Sequence, residues 1–152
     1  MAYSKSAKKL ITGQLDGWAV TWNVEDFEDA SREQLYNDRP VHCLALSPDG
    51  KTLASASQFE EAQIWDFPEY RLKAKLKSPT KKPECVSFAP DDKWIACGYH
   101  DGSIKLWDSR TFEAKTTVKE YDGQVTRITW SPDSKYLVST SHDGIVKIWQ
   151  VK

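Results

Sequence analysis

The 152 residues carry 21 Lys and Arg against 22 Asp and Glu, a formal net charge of -1, and are 39% hydrophobic and 28% charged. That balance excludes a disordered chain, and no apolar run approaches the ~18 residues of a membrane-crossing helix. A near-neutral total supplies no global field to draw the chain onto nucleic acid. The opening MAYSKSAKKL is polar and lacks the apolar centre of a secretory signal, so a cytoplasmic or nuclear location is expected, with neither membrane nor nucleic acid as partner. Cys43, Cys85 and Cys97 have no CxxC spacing and read as reduced, buried thiols rather than metal ligands or disulfides.

In chain order, a first strand from Lys9 meets the turn pair Asp16-Gly17, and the next strand ends in VTWNV at Trp22. The acidic segment 25–39 reads as a solvated outer strand and loop. Then come HCLALSPDG, TLASAS and AQIWDF with Trp65, followed by RLKAKLK, which sets Leu72, Ala74 and Leu76 on one face and Arg71, Lys73, Lys75 and Lys77 on the other. The same order returns as ECVSFAPDD, WIACGYHDG and IKLWDS with Trp107, and again as TRITWSPDS, YLVSTSHDG and VKIWQV with Trp149. Proline at the second position of SPDG-type turns presets the backbone and aspartate accepts local hydrogen bonds. Asp16-Gly17, Asp101-Gly102 and Asp143-Gly144 are the dipeptides that best supply the positive angles of a tight hairpin.

The four tryptophans Trp22, Trp65, Trp107 and Trp149 are spaced by 43, 42 and 42 residues. Each unit reads strand, Pro-Asp turn, strand, Asp-Gly turn, strand, strand: a four-stranded antiparallel meander. Within the third strand, Ile104 and Leu106 point to one face and Trp107 to the other, so both faces of each sheet need cover.

These residues resemble the WD40 family over nearly the whole chain, from Lys9 to Lys152. The resemblance implies an all-β architecture of β-propeller blades packed face to face around a channel, with the tryptophans between blades. Asp16, Trp22, Trp65, Asp101, Trp107, Asp143 and Trp149 are then structural residues. Family members join a histidine before the first strand to Ser or Thr on the second, to the hairpin Asp and to the Trp; here Asn37, Pro79 and Tyr121 fill the histidine positions. Phe59-Glu60-Glu61 replaces the Asp-Gly turn of blade two, so only blades three and four are expected to be well braced. The blades run 9–38 without a first strand, 39–78, 79–120, and 121–152 without an outer strand. Fourteen strands fall short of the ~16 of even a four-bladed ring. The chain is therefore expected to form an incomplete ring, completed by further sequence or by another chain. Two copies would join three strands to three and make no clean blade.

The sequence contains no GxSxG, HExxH, GxxxxGK[ST] or GxGxxG, so no enzymatic activity and no cofactor are expected. His42, His100 and His142 read as turn or strand residues. By resemblance, partners meet the face of the second-to-third-strand hairpins and the loops into each first strand. On that face this chain would carry Trp18, Arg39, Phe59, Glu60, Lys81, Lys82, Tyr99, His100, Tyr121, Asp122 and His142. Trp94 and Tyr136 fall on the opposite face. The basic run from Arg71 to Lys82 reads as protection against edge pairing. Residues 95–110 also resemble the box by which some WD40 proteins dock onto a cullin-RING ubiquitin ligase, with Trp107, Asp108 and Arg110 in its signature positions. A protein-interaction scaffold is the expected function, with a substrate receptor for that ligase as the alternative.

Overall fold

A computed structural model describes residues 1–5, 7–26, 30–36, 39–57, 59–79 and 82–151. Asn37 and Lys81, singled out above, lie outside the described residues. Among these, four meanders follow one another. The first holds β1 (Ala2–Ser4), β2 (Lys9–Gly13), β3 (Trp18–Asn23) and β4 (Ala30–Gln34). The second holds β5 (Cys43–Leu46), β6 (Thr52–Ala56), β7 (Ala62–Asp66) and β8 (Arg71–Leu76). The third holds β9 (Pro83–Phe88), β10 (Trp94–Tyr99), β11 (Ser103–Asp108) and β12 (Ala114–Lys119), and the fourth β13 (Val125–Trp130), β14 (Tyr136–Ser141) and β15 (Val146–Gln150). Spatial order equals chain order in every sheet, so each is an antiparallel blade.

The sequence pattern starts blade one at residue 9 without a first strand; the structure corrects this. Ala2, Tyr3 and Ser4 pair with Ile11, Leu10 and Lys9, and this short strand packs on β5. Three residues carry too little alternation to be read as a strand. Their order comes from the hydrogen-bonding edge of β2 and from cover by the neighbouring blade, which buries Ser4. Blade four has three strands, as the pattern requires.

The Pro-Asp turns work through their side chains. Asp49 Oδ1 accepts the Ser47 hydroxyl at 2.6 Å and the Lys51 amide at 2.9 Å, while Ser47 Oγ accepts the Thr52 amide at 2.9 Å. Ser131, Asp133, Lys135 and Tyr136 repeat the arrangement in blade four. The aspartate of the Trp-Asp pair closes the next turn: Asp108 Oδ1 accepts the amides of Arg110 at 3.0 Å and Thr111 at 2.9 Å. In blade two, Asp66 instead holds Arg71 at 2.7 Å and Lys73 at 3.2 Å, which ties down the start of the basic run.

The core lies between the blades, in three apolar seams. Trp65, with Leu44 and Leu53, meets Ile11 and Ala19 of blade one. Trp107, with Ile95 and Cys97, meets Ala54, Ile64 and Leu76 of blade two. Ile104 and Leu106 face the other way, into a seam with Leu137 and Trp149 of blade four. Inner strands β1, β5, β9 and β13 pack in succession, so the blades form an arc, an incomplete propeller.

The hairpin face and its bracing

Each Asp-Gly hairpin is fixed from within. Gly17, Gly102 and Gly144 have φ of 88°, 81° and 82°, in the left-handed region that glycine enters without a Cβ penalty. The preceding aspartate takes the amide two residues on: Asp16 that of Trp18 at 3.4 Å, Asp101 that of Ser103 at 3.1 Å, and Asp143 that of Ile145 at 3.3 Å. Asp143 also accepts the Gly123 amide at 3.4 Å, which links the hairpin to the loop entering its blade.

A second bracing layer lies behind the face. In blade two, the Tyr36 hydroxyl meets Ser55 Oγ at 2.9 Å, and Trp65 Nε1 donates to the same oxygen at 2.9 Å. Blade four repeats this: Tyr121 meets Ser139 Oγ at 2.7 Å, and Trp149 Nε1 donates to it at 2.7 Å. In blade one, Trp22 Nε1 donates to Thr12 Oγ1 at 3.2 Å. Tyrosine thus performs the joining task that the resemblance gives to histidine. The expected bracing of blades three and four is corrected to blades two and four.

Blade three is built by exchange. Blades two and four place tyrosine in the entry loop (Tyr36, Tyr121) and serine at the end of the second strand (Ser57, Ser141); blade three places Ser78 in the loop and Tyr99 at the strand end. Cys97 stands where Thr12, Ser55 and Ser139 accept the indole proton. Tyr99 Oη lies near Ser78 and the Trp107 indole, yet neither it nor Trp107 Nε1 reaches hydrogen-bond geometry. Burial pushes the Tyr99 hydroxyl and the Cys97 and Cys85 thiols well above their ordinary values. Thiols held protonated in this way are poor nucleophiles.

These placements correct two of the surface residues. Tyr99 is 1% exposed and Tyr121 3% exposed, so both are interior and present no surface to a partner. The aromatic size that marks an interface anchor is here consumed by a seam. Tyr36 and Glu84 were missed by sequence reasoning. Tyr36 lies five residues before Val41, whereas Tyr121 lies four before Val125, and that one-residue difference in loop length hides their equivalence.

What stays on the face is a set of rigidly mounted groups. Phe59 is 55% exposed, with the Arg39 guanidinium 5.0 Å from its ring centroid. Glu60 beside it is half-buried, its amide bonded to Ser57 O at 3.3 Å. On blade one, Arg32 lies 5.0 Å from the Trp18 ring and is pinned by Asp16 at 2.7 Å. Between blades two and three, the nearly buried carboxylate of Glu84 takes His100 Nδ1 at 3.0 Å and faces His42 Nδ1 at 3.6 Å. His100 and His142 then border a hollow of about 310 Å³ with Asp122, Gly123 and Gln124. Lys82 is exposed beside it, and its carbonyl accepts the His100 amide at 2.9 Å. The chain fold therefore brings Arg39 to Phe59 and His100 to His142, while Trp18 makes a separate outer stack.

On the opposite face, Trp94, Lys93, Asp108, Ser109 and the exposed Arg110 line a hollow of about 250 Å³. Tyr136, 42% exposed, lies at the same end of blade four.

Comparison with known proteins agrees with this architecture. A profile described as "WD domain, G-beta repeat" matches residues 33–66, 71–108 and 113–150, more than half of the chain. The chain is similar to the chicken (Gallus gallus) protein "WD repeat, SAM and U-box domain-containing protein 1", at 36% identity over 83 residues. That stretch is 54% of this chain and 17% of the relative, so the chain spans less than a fifth of the protein it matches. Period, turns, seams and profile together show that the chain belongs to the WD40-repeat family.

Proposed function

We propose that this chain is a non-enzymatic scaffold that holds protein partners on its hairpin face, in the cytosol or nucleus. The observation that carries the reading is the Phe59–Arg39 stack, an exposed aromatic with its guanidinium held 5.0 Å from the ring on a braced loop. Aromatic residues and arginine are the groups that anchor protein interfaces. Loops on a rigid scaffold lose little freedom on binding. Free Cys43, Cys85 and Cys97 suit a reducing compartment. The test is affinity capture from cell extract with the wild-type chain, Phe59→Ala and Arg39→Glu. Proteins retained by the wild type and lost by both variants support the reading; an identical retained set for all three contradicts it.

A second reading, a receptor within a ubiquitin ligase, is favoured by the exposed Arg110 beside the Trp94 hollow. Capture of a ligase adaptor that disappears with Arg110→Ala, while Phe59→Ala leaves it bound, separates this reading from the first.

A further inference from the structure

Blade two lacks the carboxylate that the other three hairpins carry, yet keeps the groups that such a carboxylate meets. Six residues before each seam tryptophan stand Asp16, Asp101 and Asp143 in blades one, three and four, and Phe59 in blade two. Asp143 shows what the position does. It accepts the Ile145 amide at 3.3 Å and, from the loop entering its blade, the Gly123 amide at 3.4 Å. The Ser141 hydroxyl, though short of hydrogen-bond geometry, is the first cause that holds the Asp143 carboxyl below its ordinary value. In blade three Asp101 takes both the amide and the hydroxyl of Ser103, at 3.1 and 2.6 Å.

Counted in the same way, the blade-two counterparts of Ser141, Ile145 and Gly123 are Ser57, Glu61 and Arg39. Ser57 is 0% exposed and its Oγ has no hydrogen-bond partner, a state that costs free energy until a partner is supplied. Two exchanges also reverse the local charge: Phe59 removes an anion, and Arg39 places a cation where blade four has glycine. Arg39 is exposed, lies 5.0 Å from the Phe59 ring centroid and makes no ion pair among the described residues. Glu60, at the place of the hairpin glycine, therefore leaves both Ser57 and Arg39 unpaired. Blade two thus combines an uncancelled guanidinium with a buried hydroxyl, around the position that an aspartate fills elsewhere.

We infer that the blade-two hairpin seats an acidic side chain of a partner protein, an aspartate or glutamate that pairs with Arg39 and brings to Ser57 and the Glu61 amide the carboxylate that Asp143 supplies within its own blade. This rests on the scaffold reading and names the partner chemistry at its Phe59–Arg39 stack. Guanidinium–carboxylate pairs are charge-assisted and directional, which suits them to fixing one acid in one place. Because Ser57 is closed off, the acid reaches it as Phe59, 55% exposed at the aspartate position, turns outward. The ring then packs against the chain that carries the acid.

The test is fluorescence anisotropy of the 152-residue chain with a labelled, C-terminally amidated peptide of alternating Asp and Gly. Its Asn-Gly counterpart is expected to bind at least tenfold more weakly. Arg39→Gln should weaken the Asp peptide at least tenfold and Ser57→Ala severalfold, while Arg110→Gln on the opposite face leaves it unchanged. Phe59→Asp with Glu60→Gly restores the hairpin pair, fills the seat from within, and should abolish peptide binding without lowering the thermal midpoint. Equal binding of the Asp and Asn peptides, no binding by the wild type, or undiminished binding by the restored hairpin or by Arg39→Gln overturns the inference. So does preference for a phosphoserine-Gly peptide, or for an Asn-Gly peptide with a free C-terminal carboxylate, over the amidated Asp peptide. The two readings fail separately: a capture set indifferent to Phe59→Ala and Arg39→Glu contradicts the scaffold reading even where the peptide binds as expected, and a peptide that ignores the restored hairpin contradicts the seat even where capture depends on both residues.

Discussion

Tyr121 and Trp149 meet on one atom. The phenol of Tyr121 and the indole nitrogen of Trp149 both lie 2.7 Å from Ser139 Oγ, with the two rings 6.5 Å apart and nearly perpendicular at 71°. Lys147 lies over both rings, 5.0 and 5.9 Å from their centroids, and bonds the Glu120 carbonyl at 2.6 Å. One serine thereby joins the entry loop, the second strand and the third strand of blade four. A satisfied buried network of this kind fixes loop position as well as blade packing.

Removing the phenol oxygen tests the network. Tyr121→Phe keeps the ring and deprives the Ser139 carbonyl of its 3.0 Å donor, so it should cost about 1 kcal/mol. Tyr36→Phe should cost a similar amount in blade two, where the hydroxyl serves Ser55. Urea midpoints with unchanged slope measure both; a midpoint that does not move in either variant contradicts the bracing role.

Blade three makes the opposite prediction. Trp107 Nε1 is buried without a partner beside Cys97, where the other blades supply a hydroxyl. Cys97→Ser should provide the missing acceptor and raise stability by about 1 kcal/mol. The same change at Cys85 offers Trp107 nothing and should not stabilise. Thermal midpoints of the two variants decide between a local hydrogen bond and a general effect of removing a thiol.

Gly102 and Gly144 share a backbone conformation and differ in surroundings. Alanine at either position is strained at φ near 81°, at a cost of about 1 kcal/mol. At Gly102 the added carbon would also lie 2.1 Å from the Tyr121 carbonyl oxygen, with none of this at Gly144. Gly102→Ala should therefore lower the thermal midpoint well beyond Gly144→Ala. Equal losses would show that the hairpin and the following loop are not in contact.

How far the sequence disclosed this arrangement depends on how locally each feature is encoded. The Asp-Gly hairpins, Pro-Asp turns and tryptophan period are short-range chemistry, and Asp16, Asp101 and Asp143 all make the amide contacts their turns demand. The side-chain alternation that sent Trp107 one way and Ile104 the other also held. The short strand β1 did not show itself, because its order depends on a neighbour's edge rather than on its own pattern. Tyr99 and Tyr121 were misplaced on the surface because exposure is decided by the facing blade. Glu84, which gathers His42 and His100, has no local motif; its neighbours come from two blades.

Acid stability has a sign fixed by the turn aspartates. The carboxyls of Asp49, Asp108 and Asp133 are held below their ordinary 3.8, chiefly by the Ser47 hydroxyl, the Thr111 amide and the Ser131 hydroxyl respectively. A carboxyl depressed by folding stabilises the fold fully above its unfolded value, and that stabilisation is lost as pH falls through the folded value. Thermal midpoints should therefore decline as pH drops below 3.8. Asp92 runs the other way: burial first, then the nearby Asp49, raises its carboxyl, so its ionisation opposes folding once the pH exceeds that range. Asp92→Asn should raise the midpoint at neutral pH and leave it unchanged in acid; a loss at neutral pH contradicts the assignment.

The most direct test of the scaffold reading is hydrogen–deuterium exchange on the chain with and without a partner recovered by capture. The account predicts slower exchange in the hairpin-face segments 39–42, 59–61, 82–84, 100–102 and 122–124, around Arg39, Phe59, His100 and Asp122. The Pro-Asp turns 47–51, 90–93 and 132–135 should be unchanged. Protection confined to those turns, with the hairpin face exchanging as it does in the free chain, would contradict it.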